Sequence, residues 1–182
     1  MKTMLRGLLG VLVLSCLSGC AVKPYVAPTS GPQATLEVWG KSDDGTISFG
    51  VFTKPQCAGF RAVADGKSVL PTIPLPVAST KLVASQPATF LVASMGVYSY
   101  CPAIQSFTPV TDKEYIAFFE TVGSGCRMSL FENVKDEAAF AILPSEQQVK
   151  LGKMMLTPVP GSKRLDYVKP WDLEDPMCPG QL

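Results

Sequence analysis

The sequence predicts a mainly β domain, an antiparallel β-sandwich or small barrel with one or two short helices near the C-terminus and two disulfides. Short apolar runs recur at spacings of roughly 8–12 residues, separated by turn signals. The 182 residues are 47% hydrophobic and only 17% charged, which excludes a disordered chain. This length suits one domain.

The first strands are predicted from alternation at period two. Residues 34–40 (ATLEVWG) and 46–53 (TISFGVFT) place apolar side chains on one face, with Asp43-Asp44-Gly45 as the turn between them. Residues 60–73 are interrupted by Asp65-Gly66, a dipeptide typical of two-residue hairpins. We therefore expect a chain reversal at each of these two turns.

Further strands follow the same pattern. The clearest hairpin joins residues 114–122 (EYIAFFETV) and 126–132 (CRMSLFE) through Gly123-Ser124-Gly125. Other short runs of this kind are residues 81–84, 88–94 and 96–101.

The C-terminal third of the chain changes character. Residues 136–143 (DEAAFAIL) begin with acidic side chains, which favour a helix N-terminus. The Ser145-Glu146-Gln147-Gln148 run has the form of a capping box and predicts a second short helix. Residues 158–182 contain five prolines and little periodicity, so we expect an irregular tail that packs on the domain.

The N-terminus has the pattern of an export signal. Lys2 and Arg6 precede an apolar run at residues 7–15, which is shorter than the roughly 20 residues needed to span a bilayer. Leu17-Ser18-Gly19-Cys20 then resembles the lipobox of bacterial lipoproteins. The resemblance covers these four positions.

The lipobox resemblance implies cleavage after Gly19, a diacylglycerol on the Cys20 sulfur and an acyl chain on its new amino group. Several acyl chains together anchor a protein stably. No Asp follows Cys20, since Ala21 is next, and in enteric lipoproteins this implies the outer membrane. We therefore expect a lipid-anchored protein whose domain faces the periplasm.

These features divide the chain into four parts. Residues 1–19 are the predicted signal peptide, and residues 20–33 are the lipidated cysteine and a flexible Pro-rich tether. Fully extended, this tether would hold the domain about 30–40 Å from the membrane surface. Residues 34–157 form the predicted β-sandwich, and residues 158–182 form the tail.

Four cysteines remain for pairing in an oxidising compartment: Cys57, Cys101, Cys126 and Cys178. Four cysteines allow three connectivities, which spacing does not distinguish. We favour Cys57–Cys101 with Cys126–Cys178, because the second pair would hold the tail on the core. The cysteines are far apart in the sequence and form no CxxC pair, so we expect no metal site.

Several function classes are disfavoured by composition. The chain has no histidine, which removes Ser-His-Asp and Cys-His catalysis and imidazole-ligated zinc. It has no Ser-x-x-Lys motif and no phosphate-binding glycine loop. The charge is nearly balanced, without clustered Lys and Arg, so we expect no nucleic-acid or nucleotide partner. We predict no catalytic residue and no cofactor besides the acyl chains on Cys20.

Aromatic residues provide the candidate recognition surface. Tyr167 and Trp171 lie in the Pro-rich tail (RLDYVKPWDLEDP), where little core is available, and we predict an exposed patch there. Trp39, Tyr98 and Tyr115 are instead expected in the sandwich core, with their polar atoms hydrogen-bonded.

Together these features favour a non-catalytic binding or scaffold module of the cell envelope with an envelope protein as its partner. The chain is similar in length, lipobox and strand content to small β-sandwich lipoproteins that serve as accessory subunits of secretion machines, a similarity of architecture only. An alternative is an inhibitor or immunity lipoprotein against a cell-wall or membrane hydrolase, as lysozyme-inhibitor lipoproteins are. A third hypothesis is a histidine-free hydrolase that uses two carboxylates.

Overall fold

The computed structural model describes residues 22–43, 45–96, 100–169 and 174–178. It confirms the predicted fold class, since the chain is mainly β with two sheets and two disulfides. No helix among the described residues is long and apolar enough to cross a membrane. The described strands are β1 (Gln33–Lys41), β2 (Thr46–Lys54), β3 (Ala58–Ser68), β4 (Leu75–Val83), β5 (Ala88–Met95), β6 (Tyr100–Phe107), β7 (Glu114–Val122), β8 (Gly125–Asn133), β9 (Val149–Leu151), β10 (Met154–Pro158) and β11 (Lys163–Leu165).

The strands form two sheets. In the described residues, one sheet has six strands in the order β4-β1-β7-β8-β10-β9, and the other has five in the order β11-β6-β5-β2-β3. The strand pairs are antiparallel except for β1 and β7, which are parallel. Between β1 and β7 the chain crosses to the five-stranded sheet twice, first as β2 and β3 and then as β5 and β6.

The main core lies between the sheets. Along β1 the side chains alternate between half-buried and buried, and Leu36 and Val38 are fully buried. Phe49 and Phe90, on the facing sheet, pack edge to face with ring centroids 6.2 Å apart. Tyr115 joins this core, as predicted, with its ring 4.8 Å from that of Phe107.

A second, smaller core lies between the five-stranded sheet and the C-terminal tail. It contains Leu91 and Ile104 together with Leu165 and Met177 from the tail. The tail is more regular than expected, because residues 163–165 form β11 and pair with β6. Burial of its apolar side chains and this pairing hold the tail on the domain.

The disulfides join other partners than the favoured ones. Cys57 pairs with Cys178 and Cys101 pairs with Cys126, with Cα–Cα distances of 5.4 and 5.9 Å. The preferred connectivity was therefore wrong, although all four cysteines are paired. As anticipated, a disulfide holds the tail on the domain, but its partner is Cys57 in the β2–β3 turn. The Met177 N–H also donates to the Cys57 carbonyl there, at 3.1 Å.

The predicted hairpin at Asp65-Gly66 is absent, and this prediction was wrong. Strand β3 runs through both residues, which form a bulge opposite Ser48. Gly66 has φ +57°, and the Ser48 hydroxyl donates to the Asp65 carboxylate at 2.6 Å. A left-handed glycine serves either a tight hairpin or a bulge, so the dipeptide alone does not distinguish them.

One of the two short helices is formed largely as predicted. Helix α1 (Glu137–Ala141) is capped by Asp136, whose carboxylate accepts from the Ala138 N–H at 2.9 Å. The expected capping box at Ser145 is not formed. Residues Ser145–Gln147 make a single 3-10 turn preceded by Pro144, without a side-chain cap.

The N-terminal segment belongs to the domain, in contrast to the tether expected there. Pro24 forms a parallel bridge with Ala62 on the edge strand β3. The Tyr25 N–H donates to the Ala62 carbonyl at 2.8 Å, and the Ala62 N–H donates to the Lys23 carbonyl at 3.1 Å. The half-buried Tyr25 also packs against the main core. Of the predicted tether, residues 20 and 21 lie outside the described residues.

Candidate functional site

The predicted recognition patch is described only in part. Trp171 lies outside the described residues, as do Cys20, the predicted lipidation site, and Tyr98, which was expected in the core. Tyr167 is half-buried rather than exposed, since it packs against the second core and edge to face on Tyr100, with ring centroids 5.8 Å apart. Burial and a hydrogen bond to Tyr167 raise the pKa of Tyr100. The exposed position predicted for Tyr167 was wrong, because β11 and the Cys57–Cys178 disulfide bring the tail back onto the sheet.

Trp39 takes a different position from the one predicted. It follows the buried Val38 on β1, so its side chain points to the outer face of the six-stranded sheet. Its ring lies 6.2 Å from that of Phe118, its partner in register on β7. The indole N–H is buried, and it has no hydrogen-bond partner among the described residues. The expectation of a core tryptophan with a satisfied N–H was therefore wrong.

Trp39 begins a row of aromatic rings on this outer face. Phe118 also packs against Phe131 on β8, with ring centroids 5.9 Å apart. On β8, Ser129 is the register partner of Phe118, and Phe131 lies two residues further along the same strand. The row crosses three adjacent strands and gives the outer face of the sheet an apolar surface.

A groove of about 330 Å³ opens along this face, and we call it the outer groove. Its lining includes Phe118 of β7 and Phe131 of β8, together with Val149 and Leu151 of β9, the edge strand. Val149 and Leu151 are 37% and 38% exposed. Strand β9 lies at the edge of its sheet within the described residues, so the apolar rim of the groove is open to solvent.

Charged side chains line one end of the outer groove. Lys41, Glu120 and Arg127 occupy matching register positions on β1, β7 and β8. Lys41 contacts Glu120 at 2.9 Å, and Arg127 Nε donates to Glu120 at 2.8 Å. Hydrogen bonds from Lys41 and Arg127 lower the pKa of Glu120. Lys150, on β9, also belongs to the lining, so the charged side chains around the groove carry more positive than negative charge.

The sequence contained a signal for this site. In β7 (EYIAFFETV) the apolar residues occupy successive positions, so both faces of the strand are apolar. Ile116 is 2% exposed, although its neighbours Tyr115 and Ala117 point to the main core. Such a continuous apolar run indicates a strand covered on both faces, whereas alternating apolar and polar residues indicate a strand covered on one face.

A second cleft, of about 560 Å³, lies near the β2–β3 turn and β11. Its lining is rich in hydroxyl groups, with Thr89 and Ser106 hydrogen-bonded to each other at 3.1 Å. Lys54 and Lys163 contribute its charges. This lining is more polar than that of the outer groove, and its donors are largely exposed.

Glu174 and Glu120, two of the described carboxylates, lie beside cations that favour their ionised forms. Hydrogen bonds to Lys54 and Arg61 lower the pKa of Glu174 to about 2, and cations also lower the pKa of Glu120. A general acid needs a pKa shifted upward by burial. Within the described ranges, no group of three or more Cys, Asp or Glu side chains is placed to hold a metal ion.

Comparison of the chain with protein-family models and with curated proteins found no match. The sequence motifs and the geometry of the outer groove are therefore the grounds on which a function is proposed.

Proposed function

We propose that this protein is a lipid-anchored, non-catalytic binding module of the bacterial cell envelope, and that it binds a protein partner through the outer groove. The observation that carries the proposal is the groove itself, where aromatic rings and exposed aliphatic side chains lie beside a cationic wall. Exposed apolar surface of this kind is typical of sites that another molecule covers.

The chemistry of the lining suggests the kind of partner. Aromatic residues and arginine are the side chains most often found at the centre of protein interfaces. Phe118, Phe131 and Leu151 offer an apolar floor and rim. Arg127 binds Glu120 through Nε and Nη2, and 69% of its side chain is exposed, so its other N–H groups can pair with a carboxylate of the partner. We infer an apolar segment of an envelope protein that carries an acidic residue.

The proposed location rests on the lipobox and on the cysteines. Leu17-Ser18-Gly19-Cys20 supports acylation of Cys20, and Ala21 supports sorting to the outer membrane. The two disulfides agree with an oxidising compartment such as the periplasm. The partner would then be another protein of the same envelope.

Photocrosslinking in intact cells tests the binding site. A photoreactive amino acid at Leu151 should capture one defined protein, identified by mass spectrometry. The same amino acid at Val83, which is also 38% exposed but lies on β4, is the matched control. Charge reversal by Arg127→Glu should abolish the Leu151 crosslink, whereas Arg164→Glu, on the exposed strand β11, should leave it intact.

The proposal fails if the crosslink at Leu151 is absent, or if it survives Arg127→Glu unchanged. Hydrolysis of a cell-wall polymer by the purified protein would overturn its non-catalytic character.

Lipidation is tested separately. Cys20→Ser should abolish labelling with a radioactive or clickable fatty acid and release the domain into the periplasm. Cys16→Ser is the control, since Cys16 lies in the predicted signal peptide and should leave labelling unchanged. A Cys20→Ser protein that stays in the membrane fraction would contradict the proposed anchor.

An inhibitory role is the second candidate, and one loop favours it. Between β3 and β4 the chain exposes Leu70 and Ile73 at 49% and 52%. An exposed apolar loop of this kind could enter the active-site cleft of a secreted cell-wall hydrolase. Inhibition of such a hydrolase, lost in Leu70→Ser with Ile73→Ser but retained in Val110→Ser, would favour this role over the scaffold.

A further inference from the structure

The N-terminal segment and a cluster of cations lie at the same edge of the sandwich, beside the proposed anchor. We infer that this edge, formed by β3 and β4, rests against the anionic headgroups of the bilayer and that β9 points away from it. The inference rests on the proposed acylation of Cys20.

The short covalent distance to the anchor is the first argument. Lys23 is already hydrogen-bonded to Ala62 on β3, and only Ala21 and Val22 lie between it and Cys20, so the two residues are three steps apart along the chain. Fully extended, three residues reach about 11 Å. An acylated Cys20 must lie at the bilayer surface, so Lys23 is held within that distance of it, and the edge of β3 lies one strand spacing, about 4.8 Å, beyond Lys23. The lift of 30–40 Å expected for a free tether is therefore not available.

The second argument is that the N-terminal segment is fastened to both sheets. Tyr25 donates its N–H to Ala62 on β3 and its hydroxyl to the Lys81 carbonyl on β4, at 2.8 and 3.1 Å. Strands β3 and β4 are the neighbouring edges of the two sheets. The anchor therefore joins the sandwich at this side, with little freedom to swing away from it.

Charge supplies the third argument. Lys23, Lys54 and Arg61 surround Glu174, with nitrogen–oxygen distances of 3.6, 2.9 and 3.0 Å. Among these four side chains the positive charges outnumber the negative one. The Lys23 and Lys54 side chains are 71% and 56% exposed, so they are free to contact phosphate groups as well. Anionic headgroups attract such basic residues within about 8–10 Å of the surface.

This orientation places the rim of the outer groove on the side of the domain that faces away from the bilayer. Neighbouring strands lie about 4.8 Å apart, so β9 stands about 24 Å from β4 across the six-stranded sheet. The exposed Val149 and Leu151 would then be presented to the periplasm, where a protein partner can reach them.

Fluorescence quenching of the full lipidated protein tests the orientation. An environment-sensitive fluorescent amino acid replaces Lys67 on β3 or Lys153 in the β9–β10 turn, both of which are exposed lysines. The vesicles contain phosphatidylethanolamine and phosphatidylglycerol, with a nitroxide quencher attached to the headgroup. We expect quenching at Lys67 to be severalfold stronger than at Lys153, and weaker at Lys67 when phosphatidylcholine replaces phosphatidylglycerol.

Equal quenching at the two positions, or none at either in membrane-bound protein, would overturn the inference. A long Gly/Ser insertion between Val22 and Lys23 should reduce quenching at Lys67 towards that at Lys153, and unchanged quenching would contradict the role of the short anchor. If a flotation assay recovers the protein apart from the vesicles, the proposed acylation has failed. Failure of the orientation instead gives equal quenching, or none, in protein that floats with the vesicles, so the two failures are distinguishable.

Discussion

The Tyr25 hydroxyl donates a hydrogen bond to the Lys81 carbonyl oxygen at a distance of 3.1 Å. The two residues are 56 positions apart in the sequence, and the contact ties the N-terminal segment to β4 as well as to β3. Burial of the Tyr25 side chain raises the pKa of its hydroxyl. The N-terminal segment is thus part of the folded domain.

Loss of the Tyr25 side chain should therefore destabilise the domain. We expect Tyr25→Phe to lower the free energy of unfolding by about 0.5–1.5 kcal/mol and Tyr25→Ala by about 1–3 kcal/mol. Urea unfolding of the full chain carrying Cys20→Ser measures both. Val26→Ala is the control, because Val26 is 83% exposed and its replacement should cost less than about 0.5 kcal/mol. Equal effects of the two alanine substitutions would contradict the contact.

The two disulfides should contribute unequally to stability. Cys57–Cys178 closes 121 residues and Cys101–Cys126 closes 25, and the longer loop has more entropy to lose in the unfolded chain. We expect replacement of both cysteines by serine to cost about 5 kcal/mol for the first pair and about 3.5 kcal/mol for the second. Urea unfolding of the two double variants compares these costs.

Non-reducing peptide mapping checks the connectivity itself. It should recover Cys57 linked to Cys178, and a peptide linking Cys57 to Cys101 would contradict the structure.

Stability should fall in acid because of Glu174. Its pKa is about 2 in the folded protein against an ordinary value of 4.5, owing first to hydrogen bonds from Lys54 and Arg61. A lowered pKa means that the stabilisation is complete above about pH 4.5 and is lost as the pH falls towards 2. Glu174→Gln should lower the Tm at neutral pH and flatten its dependence on pH in this window.

Thermal unfolding between pH 7 and pH 2 measures this effect. Glu146→Gln is the control, since Glu146 is an exposed carboxylate that takes no part in these ion pairs. Parallel pH profiles for the native protein and Glu174→Gln would refute the prediction.

Gly50 should not tolerate a side chain. A Cβ at this position in β2 would overlap the Phe60 ring and lie 2.6 Å from the Arg61 carbonyl oxygen. We expect Gly50→Ala to destabilise the domain by about 1–3 kcal/mol. Gly125→Ala is the matched control, because its Cβ would meet nothing closer than the Val122 carbonyl oxygen at 4.0 Å. A Gly50→Ala protein as stable as this control would show that the contact relaxes freely.

Elements with a local cause were predictable from the sequence. The alternation in β1 and β2 and the hairpin of β7 and β8 follow from the period of the apolar residues, and Asp136 caps α1 through a contact two residues away. Asp65-Gly66 was not predictable in the same way. A left-handed glycine suits both a hairpin and a bulge, and the pairing partner on β2 decides between them.

The candidate site was less predictable than the fold. Tyr167 was expected to be exposed because its neighbours include few apolar residues, but Tyr100 reaches it from 67 positions away. The outer groove combines Phe118 and Phe131 with Leu151. The continuous apolar run of β7 indicated that its second face is covered, but not which residues lie beside it.

The sequence by itself determined the mainly β class, the period of the core residues, the pairing of all four cysteines and the lipobox that predicts an anchor. Each of these depends on residue type and on near neighbours along the chain. Only the tertiary structure decided that Cys57 meets Cys178, that Trp39 lies outside the main core, and that Lys23 is bound to the edge of β3. These contacts join residues distant in the sequence, and they arise from the order in which the strands assemble and the sheets pack.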